Sequence, residues 1–254
     1  MPLTIDLNAD LGEGFGRSRI TQDEELLGLV SSANIACGFH AGDATTMRDT
    51  VRAAKARGVT IGAHPSYPDI PGFGRRELDL PPKEISLHVA YQIRALRDVC
   101  GAERAKLSYV KPHGALYNRA ARDSDAAKAV VAAIREVETS LTLLGPAGSE
   151  MARAAERAGV AFATEAFVDR AYKPDGTLVP RDQPGAVIHD VNGAVQRAVM
   201  LVKGQTITAV DGSELHVSAQ SLCVHGDNPD AASILRALNA RLKESRVTIA
   251  PFAA

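Results

Sequence analysis

Leu3, Ile5, Leu7 and Ala9 alternate with Thr4, Asp6, Asn8 and Asp10 at the start of the chain. A period of two is the mark of a β-strand with two unlike faces. The alternation runs directly into Asp10, Glu13 and three glycines, Gly12, Gly14 and Gly16. Glycine tolerates positive φ, so a sharp turn there can swing the carboxylates toward a common point. Taken alone, the stretch is equally well a solvated strand and turn. Later strands end in the same way, and that changes the reading.

Downstream, short apolar runs alternate with stretches of helical spacing. Thr21 to Glu24 has the form of a capping box opening a helix through Leu26, Leu27 and Val30. A strand over 32–37 ends in Gly38-Phe-His40-Ala-Gly42-Asp43, and Thr45 or Thr46 is expected to cap the helix carrying Met47, Val51 and Ala54. Further strands are predicted at 59–63, 107–110, 141–144, 160–163, 221–224 and 247–250. Helices are predicted at 82–100, 124–138, 148–158, 191–203 and 231–243. Asp211-Gly212 between two apolar runs signals a hairpin near 206–217, read as an insertion outside the main sheet. Two connections break the rhythm. Residues 66–82, with Pro68, Pro71, Pro81 and Pro82, form a loop too long for a routine connector, and such loops tend to be functional. Residues 172–183 are turn-rich and suggest a lid over a pocket.

Strands alternating with helices predict a parallel sheet. Seven of them in one unbroken run point to a single domain, 1–254, closed or nearly closed as a (β/α) barrel. The runner-up, an open doubly wound sheet, lacks its dinucleotide fingerprint: Gly12-Glu-Gly14-Phe-Gly16 has the wrong spacing and no acidic partner on a second strand.

Composition narrows the partners. A formal charge of −1 leaves no electrostatic footprint for nucleic acid or an anionic membrane. No apolar run is long enough for a membrane span. The opening residues show no secretory signal. Three cysteines without CxxC spacing read as reduced thiols, so a cytoplasmic location is the expectation.

In a (β/α) barrel the reactive groups gather at the C-terminal ends of the strands. Those positions here are Asn8, Asp10, Asn34, His40, Asp43, His64, Lys111, His113, Glu165, His225 and Asp227. One histidine near a strand end is usually a structural hydrogen-bonding group, but so many together with carboxylates and a lysine describe an active site. His88 in a helix and His216 in the hairpin read as structural. Carboxylates paired with histidines can activate water and protonate a leaving amine. The same set can hold a divalent metal, with Asp10, His40 and His64 as candidate ligands, although the H-E-x-x-H motif is absent. Cys37 is better read as a small buried thiol than as a nucleophile, and no G-x-S-x-G elbow occurs. Lys111 precedes Pro112, which holds its backbone extended. Arg75 and Arg76 can clamp a carboxylate or phosphate. No Walker-type G-x-x-x-x-G-K-[ST] is present.

Long segments resemble the LamB/YcsF family. They include residues 6–16, 32–43, 62–69, 72–76, 110–117, 169–172 and 223–229, in order along nearly the whole chain. The resemblance implies a deformed TIM-like barrel of the glycoside hydrolase/deacetylase kind. It also implies the A subunit of a bacterial 5-oxoprolinase, which converts 5-oxo-L-proline to L-glutamate with ATP and Mg2+ in a complex with subunits B and C. On that footing Asp10 or Glu13 is the expected base, His40, His64 and His113 handle protons, and Lys111 neutralises developing or phosphate charge. Asn8, Asn34, Asp43, Arg75, Glu165, His225 and Asp227 are the expected substrate contacts. The competing expectation is a self-sufficient, metal-dependent deacetylase or amidohydrolase.

Overall fold

Both faces of the first strand, β1 (Thr4–Leu11), are buried, each against a different environment. In this computed structural model, which describes residues 3–15 and 22–253, Ile5, Leu7, Ala9 and Leu11 join the main apolar core. Leu7 and Leu11 are fully buried, which stabilises the fold by roughly 1.5–3 kcal/mol each. Asp6, Asn8 and Asp10 point the other way, into a lumen where they meet side chains of several other strands. The acidic face is therefore an interior and not a solvated surface.

That lumen belongs to a seven-membered parallel ring. β1 is followed round it by β2 (Ser32–Ala36), β3 (Thr60–His64), β4 (Leu107–Val110), β5 (Thr142–Pro146) and β6 (Phe162–Phe167). The chain then leaves the barrel for a two-stranded antiparallel hairpin, β7 (Ile207–Thr208) and β8 (Glu214–Leu215). It returns as β9 (Ser221–Val224), which pairs with β6 on one side and β1 on the other, closing the ring. A short β10 (Thr248–Ile249) extends β1 at its start. The barrel and the hairpin insertion are as the alternation predicted.

Helices clothe the outside: α1 (Asp23–Leu27), α2 (Ala44–Ala56), α3 (Pro82–Ala102), α4 (Gly114–Arg122), α5 (Ser124–Val137), α6 (Glu150–Ala158), α7 (Val191–Val202) and α8 (Ala231–Glu244). Thr21, the expected start of the capping box, lies outside the described residues, and Gln22 at the head of α1 makes no side-chain cap. The α2 cap is Asp43, not Thr45 or Thr46: its carboxylate accepts from Thr46 N at 2.7 Å. No described helix is long and apolar enough to cross a membrane.

Two glycines shape the lumen. Gly12, at φ +71°, makes the turn that carries the chain from β1 to Glu13. Gly62 on β3 leaves space for the Tyr109 ring of β4, since a Cβ there would stand 2.2 Å from that ring. Tyr109 thereby reaches past β3, and its hydroxyl donates to Asn34 Oδ1 on β2 at 2.6 Å. Phe252 packs edge-on against the same ring, with centroids 4.9 Å apart.

Asp6 sits deepest. Ser31 and Ser32 each donate to its Oδ1 at 2.6 Å, and Ser221 donates to Oδ2. Burial outweighs these donors and pushes its carboxyl up to about 6. The folded protein therefore holds a proton on Asp6 that the unfolded chain releases at about pH 3.9. The associated stability is fully present below about pH 4 and is lost as pH rises through about 6, a change on the order of 2–3 kcal/mol. Urea unfolding of wild type and Asp6→Asn should show their stability difference moving by this amount across that window. A difference constant with pH would refute the assignment.

Candidate active site

The central charge of the barrel mouth is Lys111. It stands just past β4, held extended before Pro112, and its ammonium is almost completely buried. Nζ lies 2.8 Å from Glu165 Oε1, 3.2 Å from Asp10 Oδ1, 3.3 Å from Asn8 Oδ1 and 3.1 Å from Cys223 Sγ. It also sits over the Phe167 ring at 5.2 Å. Burial alone would push its pKa down. Asp10, Cys223 and Glu165 outweigh that and hold it well above the usual lysine value.

Asp10 shows the complementary balance. Burial would raise it, but Lys111 and then His64 keep it well below the usual carboxylate range. Asn34 donates to its Oδ1 at 2.8 Å and to Asn8 Oδ1 at 2.7 Å, so the two amides tie β1 and β2 into one network. Asn8 in turn donates to Glu165 Oε1, and Tyr117 donates to Glu165 Oε2, both at 3.0 Å. Every arm of the ammonium's counter-ion cage is itself held.

On one side of Lys111 stand three histidines and Glu13. His64 ends β3, and its Nδ1 lies 2.7 Å from the Lys111 carbonyl. His113 occupies the N-cap position of α4, and its Nε2 lies 2.9 Å from the Phe73 carbonyl. Their remaining nitrogens, His64 Nε2 and His113 Nδ1, face each other at 3.0 Å. His64 Nε2 is also 3.3 Å from Asp10 Oδ1, and His113 Nδ1 is 3.7 Å from Glu13 Oε1. His40 stacks on His113, with centroids 3.9 Å apart and planes 6° from parallel, and its Nε2 is 3.3 Å from Glu13 Oε1. Burial, with Asp10 next in weight, raises Glu13 well above the usual range. Burial, followed by neighbouring histidines, holds His40 and His113 well below theirs.

The proline-rich loop builds this wall. Gly74 N donates to Asp69 O, Ala115 N donates to Gly74 O, and the Phe73 carbonyl receives His113. Arg76 is not a free clamp: its Nε donates to Asp69 Oδ1 at 2.9 Å and cinches the loop.

On the opposite side, Asp169, just past β6, accepts from His225 Nδ1 at 2.8 Å and from Asn228 Nδ2 at 3.1 Å. Among the described residues His225 Nε2 makes no hydrogen bond, and His225 groups with Asp10 and Cys223. Its ring stacks on Phe167, with centroids 5.1 Å apart. Burial opposes the Asp169 anion, yet His225 holds its pKa below the usual value. Outside this layer, Asp227 pairs with both Arg75 and Arg181, the latter at 3.1 Å, so an acid from the β9 loop joins arginines from two other loops.

Comparison with known proteins fits this arrangement. Residues 5–254 match the LamB/YcsF family model. The chain belongs to the LamB/YcsF family. It is 53% identical over 249 residues to a Streptomyces griseus protein named as the A subunit of 5-oxoprolinase, covering 98% of this chain and all of that one. A Methylococcus capsulatus protein of the same name is 52% identical, covering 98% and 96%. The crystal structure of a "Lactam Utilization Protein" from Thermus thermophilus superposes with TM-score 0.92 at 43% identity, covering 98% and 100%.

Within this LamB/YcsF chain, the structure gathers Asn8, Asp10, Glu13, Asn34, His40, His64, Lys111, His113, Glu165 and His225 around one mouth. Asp43 is instead spent on the α2 cap, and Glu165 is the counter-ion of Lys111. Asp10, His40 and His64 do not form one ligand set. His40 and His64 group with Glu13 and His113, while Asp10 groups with Cys223 and His225. Cys37 is buried, with its thiol pushed up to about 12, the inert state expected of it. The sequence reading missed Asp169, Arg181, Tyr117 and Cys223. Asp169 had a usable signal: an acid just beyond one strand and a histidine just beyond the strand that follows the hairpin insertion.

Proposed function

We propose that this chain is the lactam-opening subunit of an ATP-dependent 5-oxoprolinase that converts 5-oxo-L-proline to L-glutamate. Its family relatives bear the name of a 5-oxoprolinase subunit. The observation that carries the reading within the molecule is the buried Lys111 ammonium, caged by Asp10 and Glu165 beside the Asp169-backed His225.

A lactam carbon is a poor electrophile. Transfer of the ATP γ-phosphoryl group to the lactam oxygen makes the ring carbon reactive. Water adds there, the ring C–N bond breaks as the nitrogen takes a proton, and the resulting acyl phosphate is hydrolysed by a second water to glutamate and phosphate. Lys111 faces the oxygen that carries phosphoryl charge, in a dry site where such a charge acts strongly. His225, fixed in one tautomer by Asp169, takes the proton from water at Nε2. Arg75 and Arg181, already gathered on the Asp227 carboxylate, receive the substrate carboxylate. The phosphoryl transfer uses ATP and Mg2+ in the complete complex with subunits B and C; the lack of a Walker motif in this chain fits a division of labour with those partners. The cytoplasm, where ATP is available, is the matching compartment.

The test is glutamate release from 5-oxoproline by this chain alone and with its partners. None is expected alone, and ATP-dependent turnover is expected in the complete complex. Asp10→Asn should reduce that turnover by about 10²-fold or more, because Lys111 loses an anionic partner and is re-aimed; near-normal turnover sinks the assignment. Chelator-sensitive deacylation by the chain alone, with no oxoprolinase activity even in the complex, would favour the amidohydrolase reading that the Glu13–histidine group supports.

A further inference from the structure

His64 and His113 raise a bonding problem that the proposed catalytic steps do not use. Each gives one ring N–H to a backbone carbonyl, Lys111 O at 2.7 Å and Phe73 O at 2.9 Å. A carbonyl can only accept, so those two nitrogens carry the protons. The other two nitrogens then hold lone pairs, and the fold points them at each other across 3.0 Å. Their rings are nearly perpendicular, at 86°. Glu13 Oε1, a further acceptor, is 3.7 Å from His113 Nδ1. Buried acceptors facing one another repel unless a cation or a proton lies between them.

From this geometry we infer that His64 Nε2, His113 Nδ1 and Glu13 Oε1 form a site for a first-row divalent cation of the Zn2+ type. Ligand bonds of ~2.0–2.1 Å place neighbouring ligand atoms ~3–3.4 Å apart, and the two histidine nitrogens already stand at that spacing. Both histidines carry the outer-shell bond typical of metal ligands, with the second ring nitrogen fixed on a carbonyl. Two imidazoles select transition ions over Mg2+. His40 is excluded as a ligand although it lies in the same cluster. Its ring is stacked parallel on His113, and a lone pair lies in its ring plane, so the two rings cannot both aim at one ion. His40 instead holds Glu13 through Nε2, and its buried Nδ1 has no partner among the described residues. Asp10 is a neighbour of this site: its Oδ1 accepts from Asn34 and Lys111, and it groups with Cys223 and His225 and not with Glu13 and the three histidines. A bound ion would place a Lewis acid beside Lys111 at the mouth.

The inference goes beyond the oxoprolinase reading and does not rest on it, because metal binding is read without substrate, ATP or partners. Full-length chain, stripped with chelator and titrated with Zn2+, should bind close to one equivalent by elemental analysis after gel filtration. His64→Gln and His113→Gln should weaken that binding by at least about 100-fold. His40→Gln should keep one equivalent. Wild-type protein loaded with Co2+ should show the visible absorption of a histidine-ligated ion, and this measurement decides the matter should either ligand variant fail to fold. No stoichiometric Zn2+ and no Co2+ spectrum from folded wild type would overturn the site and leave a proton shared between the two histidines. Equal loss in His40→Gln, or retention in His113→Gln, would overturn the ligand assignment.

Discussion

Lys111→Met is expected to lower oxoprolinase turnover of the complete complex by on the order of 10²–10³ and to destabilise this chain by about 3–5 kcal/mol. The two losses have different origins. Methionine fills the stem volume but removes the cation that, on the proposed function, faces the phosphorylated oxygen, so the transition state of that reaction loses its main electrostatic partner. It also leaves Asp10 and Glu165 as buried acids with no counter-ion, which accounts for the stability loss. A double variant separates them. Lys111→Met with Glu165→Gln removes one uncompensated acid and should recover part of the stability, measured by urea unfolding, with no recovery of turnover. Recovery of turnover together with stability would show that Lys111 serves only the fold.

Asp169→Asn is expected to reduce turnover by on the order of 10²–10⁴ while leaving the melting temperature within a few degrees. The carboxylate accepts His225 Nδ1–H, which in the neutral ring leaves the lone pair on Nε2. An amide can turn its NH2 to the ring, placing the proton on Nε2 and disabling the base. The discriminating readout is the pH–rate profile of the complete complex: the limb that reports the base should shift in the variant, as a purely structural role would not require. Turnover within about threefold of wild type, with an unchanged profile, would remove His225 from the proton path.

Much of the barrel was legible because the alternation in β1 continues in register with polar strand ends elsewhere. Asn8, Asp10, Lys111 and His113 were found from their place at a strand end alone. The local competition between nearby acceptors was not legible: Asp43 and not a threonine caps α2. Nor was α4 (Gly114–Arg122), hidden because residues 111–114 read as the exit of a strand. Relations across the lumen were hidden too. Nothing in the spacing says that His40 stacks on His113, or that Arg76 bends back onto Asp69. These follow from a loop folding onto itself, which depends on packing and not on periodicity.

If Arg75 and Arg181 receive the substrate carboxylate, as proposed, their double pairing with Asp227 makes its capture an exchange and not an addition. An anion arriving there meets two guanidiniums that share one carboxylate, so one positive charge of the trio is left over to attract it. On the proposed reading that surplus charge draws the substrate in and shape discriminates: a flat five-membered ring bearing one carboxylate takes the place of an aspartate side chain where a bulkier acid does not fit.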